Sequence, residues 1–347
     1  MYEKDLPKIA HYKELTSYLF NKRDSQTYDE ETFKLTTRLL QLNPEFYTMW
    51  NFRREIIDKV YAPHSEIYIE ILNDELNLIL SLLKKFPKVY WIWNHRRWCL
   101  FKLVELKSVD WEFEFKTVGK MLELDQRNFH GWQYRRFVVE NLEIQKTGND
   151  KELEILNLNL KEFEYTTSKI QHDFSNFSAW HNRTKLIPII YNLVKQLGKR
   201  SYDGGVDNDK IKLFESPLSI LYNDLEILKT GIYMCPEDNS VWLYFCWLLS
   251  DKFFVSAFDS IKDYIEVLNN QLELIKEVNE LEKEDTGNEN VGCLRSLVYV
   301  HALINKAQNE DILENKEVVT NLKKLIELDS LRKHRYEDQL SGKVLII

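Results

Sequence analysis

Pro87-Lys88-Val89-Tyr90-Trp91-Ile92-Trp93-Asn94-His95-Arg96-Arg97-Trp98-Cys99 is written more than once in this chain. Trp50-Asn51-Phe52-Arg53-Arg54 precedes it, Trp132-Gln133-Tyr134-Arg135-Arg136 and Trp180-His181-Asn182-Arg183 follow, and Trp242-Leu243-Tyr244-Phe245 is a worn copy. A short polar or proline turn comes before each Trp: Asn43-Pro44, Pro87-Lys88, Asp125 to Asn128, Asp173 to Asn176 and Asp238-Asn239. The anchors at 50, 93, 132, 180 and 242 are separated by 43, 39, 48 and 62 residues. A period of about forty residues marks stacked helical pairs, none of which buries its apolar face alone. The expectation is one α-α superhelical repeat domain over 1–347, with function carried by what decorates the repeats.

Composition agrees with that reading. Of 347 residues, 44% are apolar, and only 10 Gly and 7 Pro are present, which argues against a β-rich or disordered chain. A net charge of −8 gives no nucleic-acid footprint. Four scattered cysteines, Cys99, Cys235, Cys246 and Cys293, lack metal-ligand spacing and read as reduced thiols. No apolar run reaches the eighteen or so residues of a membrane span, and Met1 to Leu6 lacks the apolar core of a signal peptide. A cytoplasmic protein is expected.

Along the chain, residues 1–30 read as a helical lead-in with Leu15, Leu19 and Phe20 on one face. Phe33, Leu35, Leu39, Leu40 and Leu42 form the first stripe, and Asn43-Pro44 is expected to cap and start the Trp50 helix. Leu72, Leu76, Leu80 and Leu83 lead to Trp93, and Phe115, Val118, Met121 and Leu122 lead to Trp132. Leu160, Phe163, Thr167 and Ile170 lead to Trp180. Residues 197–217, with Asp203-Gly204-Gly205, read as an insertion, and 282–292 as a mobile acidic loop. A partial terminal unit is expected at 320–340. The fold class is all-α, a solenoid of helical hairpins.

One indole per unit at the same helical position is what packing between hairpins needs, and each contributes about 2–3 kcal/mol of hydrophobic stabilisation. The repeat anchors read as Trp50 with Arg54, Trp93 with Arg97, Trp132 with Arg136, Trp180 with Arg183, and Trp242. Some of the paired arginines are expected to bridge to the helix before them, through Glu70, Asp74 or Glu75. The residues that do not repeat are Lys88, Tyr90, Arg127, Asn128, Phe129 and His130. If equivalent turns lie side by side, Lys88, Arg127 and His130 form a basic, aromatic-edged ledge suited to an anion such as phosphate. No nucleophile–base pair, glycine-rich phosphate loop or metal motif accompanies them, so the chain reads as a scaffold or subunit.

At these residues the chain resembles the α subunits of protein prenyltransferases, whose repeat is built on Asn/Lys-x-Tyr/Phe-x-x-Trp-x-x-Arg-Arg. Within that family it looks most like the geranylgeranyltransferase type II (Rab) branch, through Asn43-Pro44-Glu45-Phe46, Trp50 to Glu55, and Arg127 to Trp132 with Tyr134 to Phe137. The resemblance implies a right-handed, tetratricopeptide-like crescent wrapped around a β subunit that holds the zinc and the isoprenoid cavity, with no cofactor bound by this chain. It implies transfer of geranylgeranyl from geranylgeranyl diphosphate to C-terminal cysteines of Rab GTPases, aided by a Rab escort protein. The family's diphosphate-contacting lysine falls on Lys88, with Tyr90 beside it, and Arg127, Phe129 and His130 match positions at the active-site mouth.

The alternatives are the α subunit shared by farnesyltransferase and geranylgeranyltransferase type I, and a non-catalytic peptide-binding adaptor. Two departures stand out. Position 2 is Tyr where type II α subunits commonly begin Met-His-Gly, and the chain stops before any leucine-rich or immunoglobulin-like module, as in a compact lower-eukaryote form.

Overall fold

The computed structural model describes residues 2–198 and 208–346. Among them there are helices and turns and no strands. The chain divides into two compact units, Met1–Ile144 and Gln145–Ile347. The first holds α1 (Tyr2–Asp24), α2 (Glu30–Leu42), α3 (Tyr47–Val60), α4 (Glu66–Lys85), α5 (Tyr90–Glu105), α6 (Trp111–Leu124) and α7 (Phe129–Gln145). The second holds α8 (Lys151–His172), α9 (Phe177–Leu197), α10 (Asn208–Leu213), α11 (Pro217–Met234), α12 (Asn239–Ser250), α13 (Lys252–Val255), α14 (Ile261–Thr286), α15 (Val291–Gln308), α16 (Lys316–Leu328) and α17 (Lys333–Leu340). No described helix is long and apolar enough to cross a membrane.

Sequence explains the helix starts unevenly. The first helix of each early hairpin has a side-chain cap: Asp29 accepts from the Thr32 amide, Ser65 from Tyr68 and Asp110 from Phe113. The Trp-bearing helices α3 and α5 have none. Asn43 does not start α3, as the Asn-Pro reading expects. It closes α2, and its side chain donates to the Tyr12 hydroxyl at 2.8 Å and accepts from the Glu45 amide. What fixes the corner is the indole. Trp50 Nε1 donates to the Pro44 carbonyl at 2.9 Å, Trp93 to Pro87 at 2.9 Å, Trp132 to Gln126 at 2.8 Å, Trp180 to Phe174 at 2.9 Å and Trp242 to Pro236 at 2.6 Å. Each anchor therefore ties down the carbonyl six residues before it, satisfying a backbone acceptor that a buried turn would otherwise orphan.

A second regular device joins one hairpin to the next. Arg53 on α3 forks onto Glu75 of α4 at 2.6 and 2.5 Å, and His95 on α5 reaches the same carboxylate at 2.9 Å. Arg96 forks onto Glu114 at 2.9 and 2.6 Å, where Tyr134 adds its hydroxyl, and Arg183 forks onto Asp224 at 2.8 and 2.6 Å, joined by Tyr244. The completing ring also packs, tilted, against the preceding Trp: His95 on Trp50 at 4.6 Å, Tyr134 on Trp93 at 5.3 Å and Tyr244 on Trp180 at 4.4 Å.

The buried arginine is thus the residue three after Trp, namely Arg53, Arg96, Arg135 and Arg183. Arg54, Arg97 and Arg136 lie one step round the helix. Arg54 donates to His95 Nδ1 and Asn94, Arg97 lies over the Phe137 ring, and Arg136 pairs with Glu140. The expected bridging direction is reversed as well, because Glu75 is held by the arginine of the unit before it.

Two readings of the second half change. Residues 282–292 are a loop only at 287–290. The Glu- and Lys-rich run continues α14 to Thr286, Gly287 ends it at φ 78°, and Asn290 caps α15. Residues 199–207, with Asp203-Gly204-Gly205, lie outside the described residues. After them α10 leads to Phe214, buried against Phe163 at 4.9 Å. The α14–α15 hairpin has no Trp anchor; in its place Gly292 lets α15 approach Trp242 and the Pro236 carbonyl so closely that a Cβ would sit 2.5 and 2.6 Å from them. The terminal unit is the hairpin α16–α17.

Candidate functional site

In the first unit the corners of successive hairpins meet. Asn128, buried in the turn before α7, donates to the Pro87 carbonyl at 3.0 Å, the same oxygen that receives Trp93. Beside that contact the Lys88 ammonium stands 3.7 Å from Asp125, with 76% of the lysine side chain exposed. The turns at 86–89 and 125–128 are neighbours, as the ledge expected from the sequence requires, with Lys88 exposed and His130 buried.

Aromatic side chains extend the ledge into a continuous strip. Tyr47 packs on Trp91 at 5.1 Å, Trp91 on Tyr90 at 5.6 Å, Tyr90 on His130 at 5.5 Å, and His130 on Phe129 at 3.8 Å. Tyr47, Tyr90 and Phe129 all sit three residues before an anchor Trp and are 53%, 54% and 61% exposed. Half-exposed rings in a row are the kind of apolar patch that suits an interaction surface. His130 lies beneath the strip. Burial lowers its pKa, against a hydrogen bond to the Lys88 backbone and the charge of Glu45. A small crevice of about 30 Å³ opens among Tyr90, Trp93, Asn94, Arg97, His130 and Gln133.

Lys88, Tyr90, Phe129 and His130 are therefore brought together, and Arg127 is exposed in the same turn as Asn128. Sequence reasoning passed over Tyr47 and Trp91. Tyr47 has the register of Tyr90 and Phe129, and Trp91 that of His130, which were usable signals. The arrangement offers a cation at the edge of an apolar wall, which suits a ligand or surface that is part anionic and part apolar. Among the described residues no group of three or more His, Cys, Asp and Glu side chains gathers as a metal site.

The protein prenyltransferase alpha subunit repeat matches at residues 29–60, 72–103, 111–142 and 159–189, in register with the corners just described. A Candida albicans protein named geranylgeranyl transferase type-2 subunit alpha is 54% identical over 98% of this chain and 93% of its own length. The chain belongs to the protein prenyltransferase α subunit family. A Saccharomyces cerevisiae α subunit of the same name is 37% identical over 96% of this chain and 91% of its own. The family fold is also seen in a solved structure described as Candida albicans protein geranylgeranyltransferase-I complexed with GGPP. There the TM-score is 0.59 at 22% identity, covering 96% of this α subunit and 91% of that chain. The fourth matched repeat ends at Ile189, so the units built on Trp242, α14–α15 and α16–α17 are the divergent ones.

Proposed function

We propose that the chain is the α subunit of a type-2 geranylgeranyl transferase, active with a β subunit, and that Lys88 faces the diphosphate of geranylgeranyl diphosphate. The exposed ammonium of Lys88 at the edge of the Tyr47–Phe129 strip carries this reading. A partner seated on the strip would cover its rings and bring an anion to the lysine. Tyr90, Arg127, Phe129 and His130 line the same approach and would position the substrate.

In the proposed reaction a cysteine thiolate at a Rab C-terminus attacks C1 of the isoprenoid. The C1–O bond breaks and its electron pair leaves with the diphosphate. Negative charge grows on that leaving group, so a fixed ammonium stabilises the transition state more than the ground state. Zinc that activates the thiolate would be held by the β subunit, and an escort protein would present the Rab.

The test is co-expression with candidate β subunits, scored for single-turnover transfer of a labelled C20 lipid to Rab. Lys88→Ala is expected to slow transfer about 100-fold. An unchanged rate in the intact heterodimer removes the role given to Lys88. Transfer of a C15 lipid to a peptide, with no need for an escort protein, would instead favour the shared farnesyltransferase α subunit.

A further inference from the structure

The second unit has a cleft that the Lys88 reading does not use. It is enclosed by α12, α15 and the terminal hairpin α16–α17 and has a volume of about 110 Å³. Its floor combines buried apolar side chains, Trp242, Leu322, Leu325 and the ring of Tyr336, with buried Ser296 and Gln339. Its mouth carries three guanidinium groups, from Arg295, Arg332 and Arg335. Among the described residues one carboxylate, Asp329, pairs with them. Asp329 accepts from Arg332 at 3.0 and 3.2 Å and from the Tyr336 hydroxyl at 2.7 Å. Arg295 donates to the amide oxygen of Asn239 at 3.1 Å, a neutral partner. Arg335 is exposed and makes no ion pair or hydrogen bond among the described residues. The nearby Glu337 and Asp338 are engaged by Lys333, His334 and Lys343. Among the described residues the mouth therefore has an excess of positive charge, on a chain whose net charge is −8.

Size and polarity select the occupant. A volume near 110 Å³ equals roughly four waters at ~30 Å³ each, or one side chain of ring size. The indole and leucine side chains of the floor favour an occupant that brings an apolar group over a bare phosphate. Guanidinium forks match carboxylates in a two-pronged geometry and are favoured where such groups are recognised. Leu243, which lines the cleft and is half exposed, extends the apolar surface outward.

We propose that this cleft docks an acidic segment of a partner protein, one apolar side chain filling the cavity while flanking carboxylates engage Arg295, Arg332 and Arg335. The inference rests on the cleft alone and stands or falls separately from the role of Lys88.

Fluorescence anisotropy on the full chain, and on its heterodimer, tests it with a labelled peptide, Glu-Asp-Phe-Asp-Glu. Saturable binding tighter than about 1 mM that weakens with salt is expected. Arg335→Glu and Arg295→Glu should each weaken it at least about ten-fold, and Arg335→Lys less. Both arginines lie outside the core, so an unchanged melting temperature shows that the variants fold. The proposal is overturned if Glu-Asp-Gly-Asp-Glu binds equally well, if inorganic phosphate displaces the peptide at matching concentrations, or if Arg335→Glu binds like the parent. Absence of saturable binding overturns it too.

Discussion

Two cation–carboxylate pairs in the first unit sit little more than a helix length apart in sequence and behave oppositely. Arg53 and Glu75 are sealed between hairpins, with the guanidinium fork at 2.5 and 2.6 Å, His95 on the same carboxylate, and the Thr36 and Thr37 hydroxyls on the arginine. Lys88 and Asp125 face solvent at 3.7 Å with no such support. A sealed, fully hydrogen-bonded pair fixes how hairpins stack, because each member left alone would be a buried, unpaired charge. An exposed pair contributes about 1 kcal/mol or less and is screened by salt, so its cation is available to something that arrives later. The same chemical pairing thus holds the scaffold in one place and leaves a charge ready for use in the other.

The contrast breaks most sharply at Arg183. Arg183→Ala strands buried Asp224 and is expected to cost about 3–5 kcal/mol of unfolding free energy in chemical denaturation. A loss below 1 kcal/mol would mean that the joints are not structural.

A smaller effect should follow pH. Burial holds the His95 pKa at about 4, below its ordinary 6.5, despite the pull of Glu75, and Arg54 donating to Nδ1 leaves Nε2–H to face Glu75. Below pH 6.5 the unfolded chain takes up a proton that the folded chain refuses until about pH 4, so stability present at pH 7 is lost as pH falls through this window. Between pH 7 and pH 5 the loss from His95 is on the order of 2 kcal/mol. Glu75, held at about 2 by Arg53 and His95 against the effect of burial, adds its own loss only at lower pH. His95→Gln should flatten the upper part of that pH profile; an unaltered slope would point to another group.

The weakest effect sharpens the comparison from the other side. Asp125→Asn removes the partner of Lys88 and is expected to change stability by less than about 1 kcal/mol, an effect that shrinks further as salt is added. A larger change would make that pair structural and weaken the case for an available ammonium.

Much of this was legible in the sequence. Five Trp at near-regular spacing fix hairpins and their corners, and the cations at Lys88 and Arg127 stand out because Glu45, Ser175 and Glu237 occupy the same place in other units. Which arginine of each pair is buried was not legible. Residues three and four after Trp both lie on its side of a helix, and only the direction of stacking chooses between them. Glu75 was on the right list of acids but with the wrong donor, for the same reason. The α14–α15 hairpin went unread because its marker is Gly292, a missing side chain rather than a present one. Tyr47 escaped because its own turn carries no cation to draw notice.

Each indole closes a ring of chain only six residues long, and it does so on a backbone oxygen. The shape of a corner therefore does not depend on the side chain that sits five places before Trp, where Glu45, Lys88, Arg127, Ser175 and Glu237 appear in turn. Such a corner works as an interchangeable socket: acid, base or hydroxyl can be mounted there without retuning the frame. Chemistry could then be confined to two corners of five while the other three kept the same architecture.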